Sequence, residues 1–313
     1  MKVPFTKMQG VSNDFILVDE LEQEIVPSDK KPGFAVFAAD RHTGIGSEGV
    51  IFVQKSDNVD AKFVFYNPDG TVAEMDGNGI RCFAKYLYDN GHVDRTNISV
   101  ETAAGVKSLV LTLFNDKVEM VRVDMGSPQL SREQIGIAGK PGDTYIGVEL
   151  TVLGQTYKVT CVGTGNPHAV LFVEDVEKVD VLRIGKAIMN MKKEFTRGIN
   201  VHFVEKAGGS EYKIRSYERG VENETLACGT GACACAVAAV LNGRSDMDRT
   251  FVFHARGGDL NVKLESASGK VGRMLLTGPA VEVFKGEMEY EPSEKFQKAA
   301  NTFISRVLSK NAL

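Results

Sequence analysis

Short apolar runs separated by polar and turn residues recur along the chain, which is typical of a protein rich in β-strands. The apolar runs are separated by turn residues such as Pro68-Asp69-Gly70 and Gly257-Gly258-Asp259. The runs that predict strands are Phe15–Val18, Val50–Val53, Lys62–Tyr66, Ser108–Phe114, Ala169–Val173, Val201–Val204, Tyr212–Tyr217, Phe251–His254 and Arg273–Thr277, and Met1–Phe5 also resembles the start of a strand.

Helical patterns are fewer than strand patterns. The clearest predict helices at Phe34–Arg41, Gly79–Asn90, Val181–Met191 and Gly231–Asn242. Apolar residues at helical spacing also predict a terminal amphipathic helix over 293–313, which we expect to pack on the body or on a second subunit. The mixture predicts an α+β fold, in which a mainly antiparallel sheet is wrapped around a helix in each half of the chain.

The two halves of the chain resemble each other. Met75–Ile80 and Ala227–Ala232 share the pattern x-(Asp/Cys)-Gly-(Asn/Thr)-Gly-x at an offset of 152 residues. Two further pairs follow at nearly the same offset: Ser12–Val18 with Gly165–Leu171, and Gly44–Gly46 with Gly198–Asn200. Three matches in the same order predict two similar domains, with a ligand held between them by equivalent residues.

Composition narrows the class of protein. The chain has 313 residues, 43% of them apolar, and a net charge of -4. There is no basic block and no apolar run long enough to span a bilayer, so we expect neither a nucleic-acid nor a membrane partner. The chain begins without the long apolar core of a signal peptide. Five cysteines, three of them within eight residues, indicate a reducing, cytoplasmic compartment, and their spacing matches no common zinc site.

The two Gly-rich loops carry the most specific chemistry. Each joins a strand to a predicted helix, whose free N–H groups favour an anion such as a carboxylate. Asp76 and Cys228 head the two loops. A helix N-terminus is expected to lower the pKa of both groups, which favours a thiolate and a carboxylate. The alternative is an ordinary Gly turn with a small buried cysteine.

Two facing loops would aim two titratable groups at one ligand from opposite sides. This arrangement can remove a proton from one face of a carbon and return a proton to the other face. The loop N–H groups would stabilise negative charge that develops on the ligand carboxylate. The duplication therefore favours an isomerase over a simple structural turn.

These residues resemble the diaminopimelate epimerase family over nearly the whole chain. The segments that carry the resemblance are Asn13–Phe15, Arg41–Gly46, Asn67–Gly70, Gly77–Cys82, Gly165–His168, Glu218–Gly220 and Ala227–Ala232. The resemblance implies epimerisation of LL- to meso-diaminopimelate in the lysine and peptidoglycan pathway, with two cysteines as acid and base and without pyridoxal phosphate or another cofactor. It implies one domain over residues 1–126, completed by 280–313, and a second over 127–279.

The resemblance also implies the residues of the site. Cys228 matches one catalytic cysteine, and Asp76 stands where the family has the other. The positions that match the family's substrate-binding residues are Asn13, Asn67, Gly77, Asn78, Asn166, Asn200, Glu218, Arg219, Gly229 and Thr230. Arg219 could bind a carboxylate and Glu218 an ammonium group, the alternative being a surface ion pair. His168 is expected to support the second loop, no metal is expected, and a homodimer stays open.

Three departures from the family pattern are present. Asp76 replaces a cysteine, Gln9 replaces a histidine, and a His-Pro pair is absent around 190–195. An aspartate titrates near 3.9 and a thiol near 8.5, so we expect Asp76 ionised, Cys228 protonated and the two directions of reaction unequal. The carboxylate also extends further than a sulfur atom, which could displace the substrate.

Several interpretations follow from Asp76. It could be a substitution in an ordinary diaminopimelate epimerase, a natural change that serves another reaction, or the record of an over-oxidised cysteine. The rival enzyme hypotheses are a racemase of another amino acid and a lyase of the same fold. The non-enzyme hypothesis is a protein that binds an amino acid but no longer performs the chemistry.

Overall fold

The computed structural model describes residues 1–292, and the predicted terminal helix over 293–313 lies outside them. The chain divides into two compact units. Unit 1 contains Met1–Val123 and the segment that begins at Pro279, and unit 2 contains Asp124–Gly278. The domain boundaries predicted from the sequence lie after residues 126 and 279.

Strands dominate both units. In unit 1 the elements are β1 (Lys2–Gly10), β2 (Asn13–Glu20), α1 (Lys31–Ala39), β3 (Gly49–Gln54), β4 (Ala61–Tyr66), β5 (Val72–Ala73), α2 (Gly77–Asp89), β6 (Asn97–Thr102), β7 (Gly105–Phe114) and β8 (Lys117–Asp124). The elements that follow in unit 2 are α3 (Arg132–Ile135), β9 (Val148–Val152), β10 (Gln155–Gly163), β11 (Pro167–Val173), a 3₁₀ turn (Val176–Lys178), α4 (Val181–Met189), β12 (Asn200–Gly208), β13 (Glu211–Glu218), β14 (Asn223–Thr225), α5 (Gly229–Leu241), β15 (Thr250–Ala255), β16 (Gly258–Ala267) and β17 (Lys270–Pro279). The last described strand, β18 (Val281–Glu289), returns to unit 1.

Unit 1 surrounds the helix α2 with strands. β2 and β3 pair in parallel, as do β4 and β6, while β1–β2, β3–β4, β6–β7 and β7–β8 are antiparallel. β18 joins the sheet antiparallel to β1, with Glu289 opposite Lys2. α2 packs on β1, β2, β3 and β7. An apolar cluster that includes Phe34 of α1, Phe52 of β3 and Tyr290 packs α1 against the sheet.

Unit 2 has the same plan around α5. β11 and β12 pair in parallel, as do β13 and β15, while β9–β10, β10–β11, β12–β13, β15–β16 and β16–β17 are antiparallel. α5 packs on β10, β11, β12 and β16. Its sequence is rich in Ala, Gly and Cys, and the small side chains let the strands approach the helix closely.

The two units share one order of elements. The series β2-α1-β3-β4-β5-α2-β6-β7-β8 of unit 1 corresponds to β11-α4-β12-β13-β14-α5-β15-β16-β17 of unit 2. β18 lies beside β1 as β9 lies beside β10. The predicted α+β class, with mainly antiparallel sheet around a helix in each half, is confirmed.

Burial explains why the predicted elements form. β3 is buried over nearly its whole length, so its sequence is a continuous apolar run rather than an alternating one. The four predicted helices are present, and α2 and α5 begin two residues earlier than predicted, at Gly77 and Gly229. Within residues 1–292, no helix has the length and hydrophobicity needed to cross a membrane.

Candidate active site

Asp76 is the N-cap of α2 in unit 1. Its backbone is extended, with φ -131° and ψ 129°, so the helix begins with the next residue. Its Oδ1 accepts hydrogen bonds from the backbone N–H groups of Asn78 at 2.9 Å and Gly79 at 2.7 Å. From the sequence, we expect the N–H groups of this loop to hold a ligand carboxylate. In the structure the carboxylate of Asp76 already accepts from two of them.

The rest of the first loop is held by Arg81, which is fully buried. Its Nη1 donates to the carbonyl of Gly77 at 2.9 Å, and its Nη2 donates to Oδ1 of Asn78 at 2.8 Å. Its Nε donates to the carbonyl of Pro279 at 3.2 Å. The side chain of Asn78 therefore positions the loop, and its backbone N–H caps the helix with Asp76.

The expected lowering of the Asp76 pKa is wrong. Burial raises the pKa of the Asp76 carboxyl above its ordinary value of 3.8, and this outweighs the opposing hydrogen bonds from Gly79 and Asn78 and the charge of Arg81. The helix terminus favours the anion as predicted, but removing a carboxylate from water costs more. Asp76 is therefore a stronger base, and is more readily protonated, than the motif alone suggests.

Cys228 occupies the corresponding N-cap position of α5 in unit 2. Its backbone is also extended, with φ -124° and ψ 108°, but its side chain makes no capping hydrogen bond. Its Sγ lies 3.6 Å from Oγ1 of Thr230, and the residue is 5% exposed. The second loop thus lacks the internal carboxylate that the first loop contains.

The expected lowering of the Cys228 pKa is also wrong. Burial raises the pKa of the Cys228 thiol well above its ordinary value, and the nearby negative charge of Glu218 adds to the rise. The neighbouring Thr230 hydroxyl and the backbone of Gly231 favour the thiolate but do not cancel the rise in pKa. A buried thiol next to a carboxylate is held as the neutral acid rather than the thiolate.

Two further predicted residues of unit 1 differ in their hydrogen bonding. Oδ1 of Asn13 is buried and has no hydrogen-bond partner among residues 1–292. Nδ2 of Asn67 donates to Oγ1 of Thr71 at 2.9 Å, which closes the turn after β4. Asn13 therefore has an acceptor available to a ligand N–H group, whereas one amide hydrogen of Asn67 is engaged in the turn.

Asn200 and its neighbours form a network in unit 2. Nδ2 of Asn200 donates to the carbonyl of Pro167 at 3.0 Å, and its Oδ1 accepts the backbone N–H of Arg219 at 2.9 Å. Nη1 of Arg219 donates to the carbonyl of Arg197 at 3.0 Å. Oε1 of Glu218 accepts from Thr225. Asn200 thus fixes the segment that presents Glu218 and Arg219.

His168 is hydrogen-bonded to His202, a residue outside the motifs that predict the site. Nδ1 of His168 lies 2.8 Å from Nε2 of His202, and Nε2 of His168 lies 2.7 Å from Oδ1 of Asn166. Nδ1 of His202 lies 2.8 Å from Oγ of Ser216. The repeated Asn-x-His spacing of Asn166–His168 and Asn200–His202, on paired parallel strands, is the signal that could have identified His202.

These histidines also form a group with the candidate catalytic thiol. Side-chain ligand atoms of His168, His202 and Cys228 all lie within 4.8 Å of one another and are of types that zinc prefers. Both ring nitrogens of each histidine are already hydrogen-bonded. A metal ion could bind there only after each ring gives up one of these hydrogen bonds.

Solved structures with the same fold include amino-acid isomerases. A probable proline racemase from Agrobacterium radiobacter has a TM-score of 0.70 at 16% identity, covering 95% of each chain. A hydroxyproline epimerase from Agrobacterium vitis has a TM-score of 0.64 at 14% identity, covering 92% of each chain. At these identities the likeness concerns the fold alone. The fold is one that structures named as an amino-acid racemase and an amino-acid epimerase also have.

Sequence relatives define the family within this class. A diaminopimelate epimerase of Pelotomaculum thermopropionicum is 44% identical over 91% of this chain and 99% of its own length. One from Methanococcus maripaludis is 42% identical over 91% of this chain and 99% of its own length. The family model for diaminopimelate epimerase matches residues 5–131 and 160–283. The chain belongs to the diaminopimelate epimerase family, whose members are isomerases.

Proposed function

We propose that this chain epimerises LL-diaminopimelate to meso-diaminopimelate without a cofactor, with Asp76 and Cys228 as the two groups that exchange the α-proton. The observation that carries the proposal is the equivalence of the two loops. Asp76 and Cys228 are both N-cap residues of the buried helix that follows the fifth element of the same series in each unit. Relatives named as diaminopimelate epimerases, which align over their full length, support the substrate.

The reaction needs one group of the pair as the acid and the other as the base. Burial holds the thiol of Cys228 protonated, so we assign Cys228 as the acid in the first step and the Asp76 carboxylate as the base. The C–H bond breaks as Asp76 takes its proton from one face of the α-carbon, and a new C–H bond forms as Cys228 delivers its proton to the other face. Cys228 is then a thiolate and Asp76 a carboxylic acid, and solvent exchange restores the starting state.

Burial moves the pKa of the Asp76 carboxyl toward that of an ordinary thiol. A carboxylate whose pKa is raised is a better base for an α-proton and a more available acid in the return direction. Burial also raises the pKa of the Cys228 thiol well above its ordinary value, so the pKa values of the two groups stay unequal. We therefore propose slow catalysis, with the two directions unequal.

We propose substrate-binding roles for groups within each unit. In unit 1, Oδ1 of Asn13, which has no hydrogen-bond partner within the described residues 1–292, is suited to an ammonium N–H of the substrate. In unit 2, the first-turn N–H groups of α5 receive no capping bond from Cys228, so Gly229 and Thr230 could hold a carboxylate. Glu218 and Arg219 would serve the remaining charged groups of the zwitterion.

The test is incubation with LL-diaminopimelate in heavy water, with α-deuterium uptake and stereochemistry followed by NMR and mass spectrometry. We expect slow deuterium incorporation accompanied by meso product, and faster reaction for Asp76→Cys. If neither chain exchanges the α-proton, diaminopimelate is the wrong substrate. The next candidates are then other amino acids, tested for racemisation and for elimination.

One observation favours a second candidate function, binding without turnover. The Asp76 carboxylate accepts hydrogen bonds from N–H groups that a substrate carboxylate would need in the first loop. A chain that uses those donors internally could retain affinity in unit 2 and lose the reaction. Tight binding of LL-diaminopimelate by calorimetry, with no exchange in the same sample, would establish this alternative.

A further inference from the structure

A row of four side chains crosses the buried interior of unit 2. It runs from Asn166 through His168 and His202 to Ser216, with contacts of 2.7, 2.8 and 2.8 Å. Both imidazoles are fully buried, and Ser216 is 3% exposed. Their strands are adjacent, since β11 pairs with β12 and β12 pairs with β13.

The row has a defined direction of hydrogen bonding. Burial lowers the pKa of His202 to about 3 and that of His168 well below its ordinary value, so both rings are neutral, with one donor and one acceptor each. Oδ1 of Asn166 can only accept, so Nε2 of His168 carries the hydrogen. Nδ1 of His168 then accepts from Nε2–H of His202, and Nδ1 of His202 accepts from the Ser216 hydroxyl.

The direction of the row determines what Asn166 presents to a ligand. Its Oδ1 is turned toward His168, so its NH₂ group is the part that remains available. Within residues 1–292, no group accepts a hydrogen bond from that NH₂. An amide NH₂ donates to a carboxylate oxygen and cannot accept from an ammonium group.

His202 also contacts the first turn of α5. A Cβ at Gly231 would lie 2.3 Å from Cε1 of His202, so the first turn of the helix rests directly on the ring. Oγ1 of Thr164 donates to the carbonyl of Thr230 at 3.3 Å and ties the same turn to the segment before Asn166. The ring thus contacts both the row and the helix that Cys228 caps.

We propose that His202, oriented by Ser216, is a positioning residue: it holds His168 in the Nε2–H form and so turns the Asn166 NH₂ toward a carboxylate of the substrate. This inference rests on the proposed function for the identity of the ligand. The protonation of the two rings is independent of the proposed function, because it is a property of the ligand-free protein.

The first test is a spectroscopic one on the ligand-free protein. The chain has five histidines, so ¹⁵N–¹H correlation spectra of the imidazoles can be assigned with single variants. We expect both His168 and His202 as neutral Nε2–H tautomers at pH 7. An Nδ1–H form of His168, or a charged ring, overturns the inference whatever the enzyme does.

The second test separates positioning from a merely structural role. His202→Phe removes both hydrogen bonds and is expected to raise KM for LL-diaminopimelate about tenfold, the effect of about one hydrogen bond, with a smaller change in kcat. His202→Gln, whose amide can donate to His168 and accept from Ser216, should restore most of the loss. His254→Gln, on a partly exposed ring of β15 that is paired with Asp259, is the matched control and should leave both constants unchanged.

A double-mutant cycle tests whether His202 acts on substrate binding through Asn166. In an Asn166→Ala background, His202→Phe should no longer raise KM, because the group that it positions is gone. If His202→Phe does not fold, Ser216→Ala provides the milder variant and should shift the tautomer of His202 in the same spectra. An unchanged KM in His202→Phe, or an equal effect in both backgrounds, refutes the proposal. If no diaminopimelate is turned over, the proposed function fails, and the spectra still decide the protonation of the row.

Discussion

The two Gly-rich loops have nearly the same backbone and opposite internal bonding. In unit 1 the residue at the head of the loop caps its own helix, since Oδ1 of Asp76 accepts two backbone N–H groups. In unit 2 the residue at the same position, Cys228, makes no capping bond. One side-chain change therefore alters both the titrating group and the set of donors that the loop offers.

The difference shows that a helix N-terminus can stabilise a fold or bind a ligand, but the same donors cannot do both at once. A carboxylate is a strong acceptor and takes up the donors, whereas a thiol is a weak acceptor and leaves them available. The first loop has become a better cap, and the second remains the better anion site. Cys228 is buried and Asp76 is half-buried, and loss of solvent raises the pKa of each.

The largest expected effect comes from removing either head group. Cys228→Ala and Asp76→Asn should each reduce kcat/KM for epimerisation by about 10²–10⁴-fold, the usual contribution of a general acid or base. The asparagine keeps an Oδ1 acceptor and so keeps the cap. Steady-state kinetics on folded variants is the measurement. Full activity in Asp76→Asn would exclude Asp76 from proton transfer.

A second variant makes the first loop like the second. Asp76→Cys frees the N–H groups of Asn78 and Gly79 and supplies a thiol in place of the carboxylate. We expect epimerisation to become faster by up to about a hundredfold, because misplacement of the reacting groups by about 1 Å costs about that much. The rate is measured with LL- and with meso-diaminopimelate, since the two directions should also become more equal. A slower Cys variant would mean that this chain is adapted to aspartate.

The two capping hydrogen bonds of Asp76 should contribute measurably to the free energy of unfolding. Asp76→Ala removes both capping bonds and should lower the free energy of unfolding by about 1 kcal/mol, whereas Cys228→Ala has no capping bond to lose. Asp180→Ala is a matched control, because Asp180 caps α4 by accepting the N–H of Arg183 at 3.1 Å. It should cost a similar free energy without loss of activity. Urea unfolding followed by circular dichroism distinguishes these cases.

The smallest expected effect is a pH dependence of stability. The pKa of Asp76 is raised by burial, so the native state binds its proton more tightly than the unfolded chain does. This contribution is fully present below pH 3.8 and is lost as the pH rises through the native pKa. The difference in unfolding free energy between the parent chain and Asp76→Asn should therefore fall with rising pH. A difference that rises would mean that the capping bonds outweigh burial.

Much of the fold could be predicted from local patterns. The apolar runs of β2, β3, β11 and β12 are recognisable because they are buried and have few polar residues within them. The four main helices are recognisable because their apolar residues recur at helical spacing. β6 and β8 alternate buried and exposed residues and are missing from the prediction. β18 is mostly exposed, and its partner β1 lies at the other end of the chain, so no local signal identifies the pair.

The site could be predicted in residue identity but not in electrostatics. The repeat identifies Asp76 and Cys228 as equivalent, which the element order of the two units supports. The predicted direction of both pKa shifts is wrong. The motif indicates a helix terminus, but it does not indicate how far the fold shields the two groups from water. The role of Arg81 in the first loop was not predicted for the same reason. Its complete burial and its three hydrogen-bond acceptors result from the packing of the loop.

The pairing of β18 with β1 has a consequence for synthesis on the ribosome. Unit 2 is a continuous stretch of chain, whereas the N-terminal strand of unit 1 must wait for Val281–Glu289 before its outer edge is covered. The domain that begins first is thus completed last, after its counterpart has been made. Until then the nascent protein carries an open strand edge, a site where newly made chains can associate wrongly.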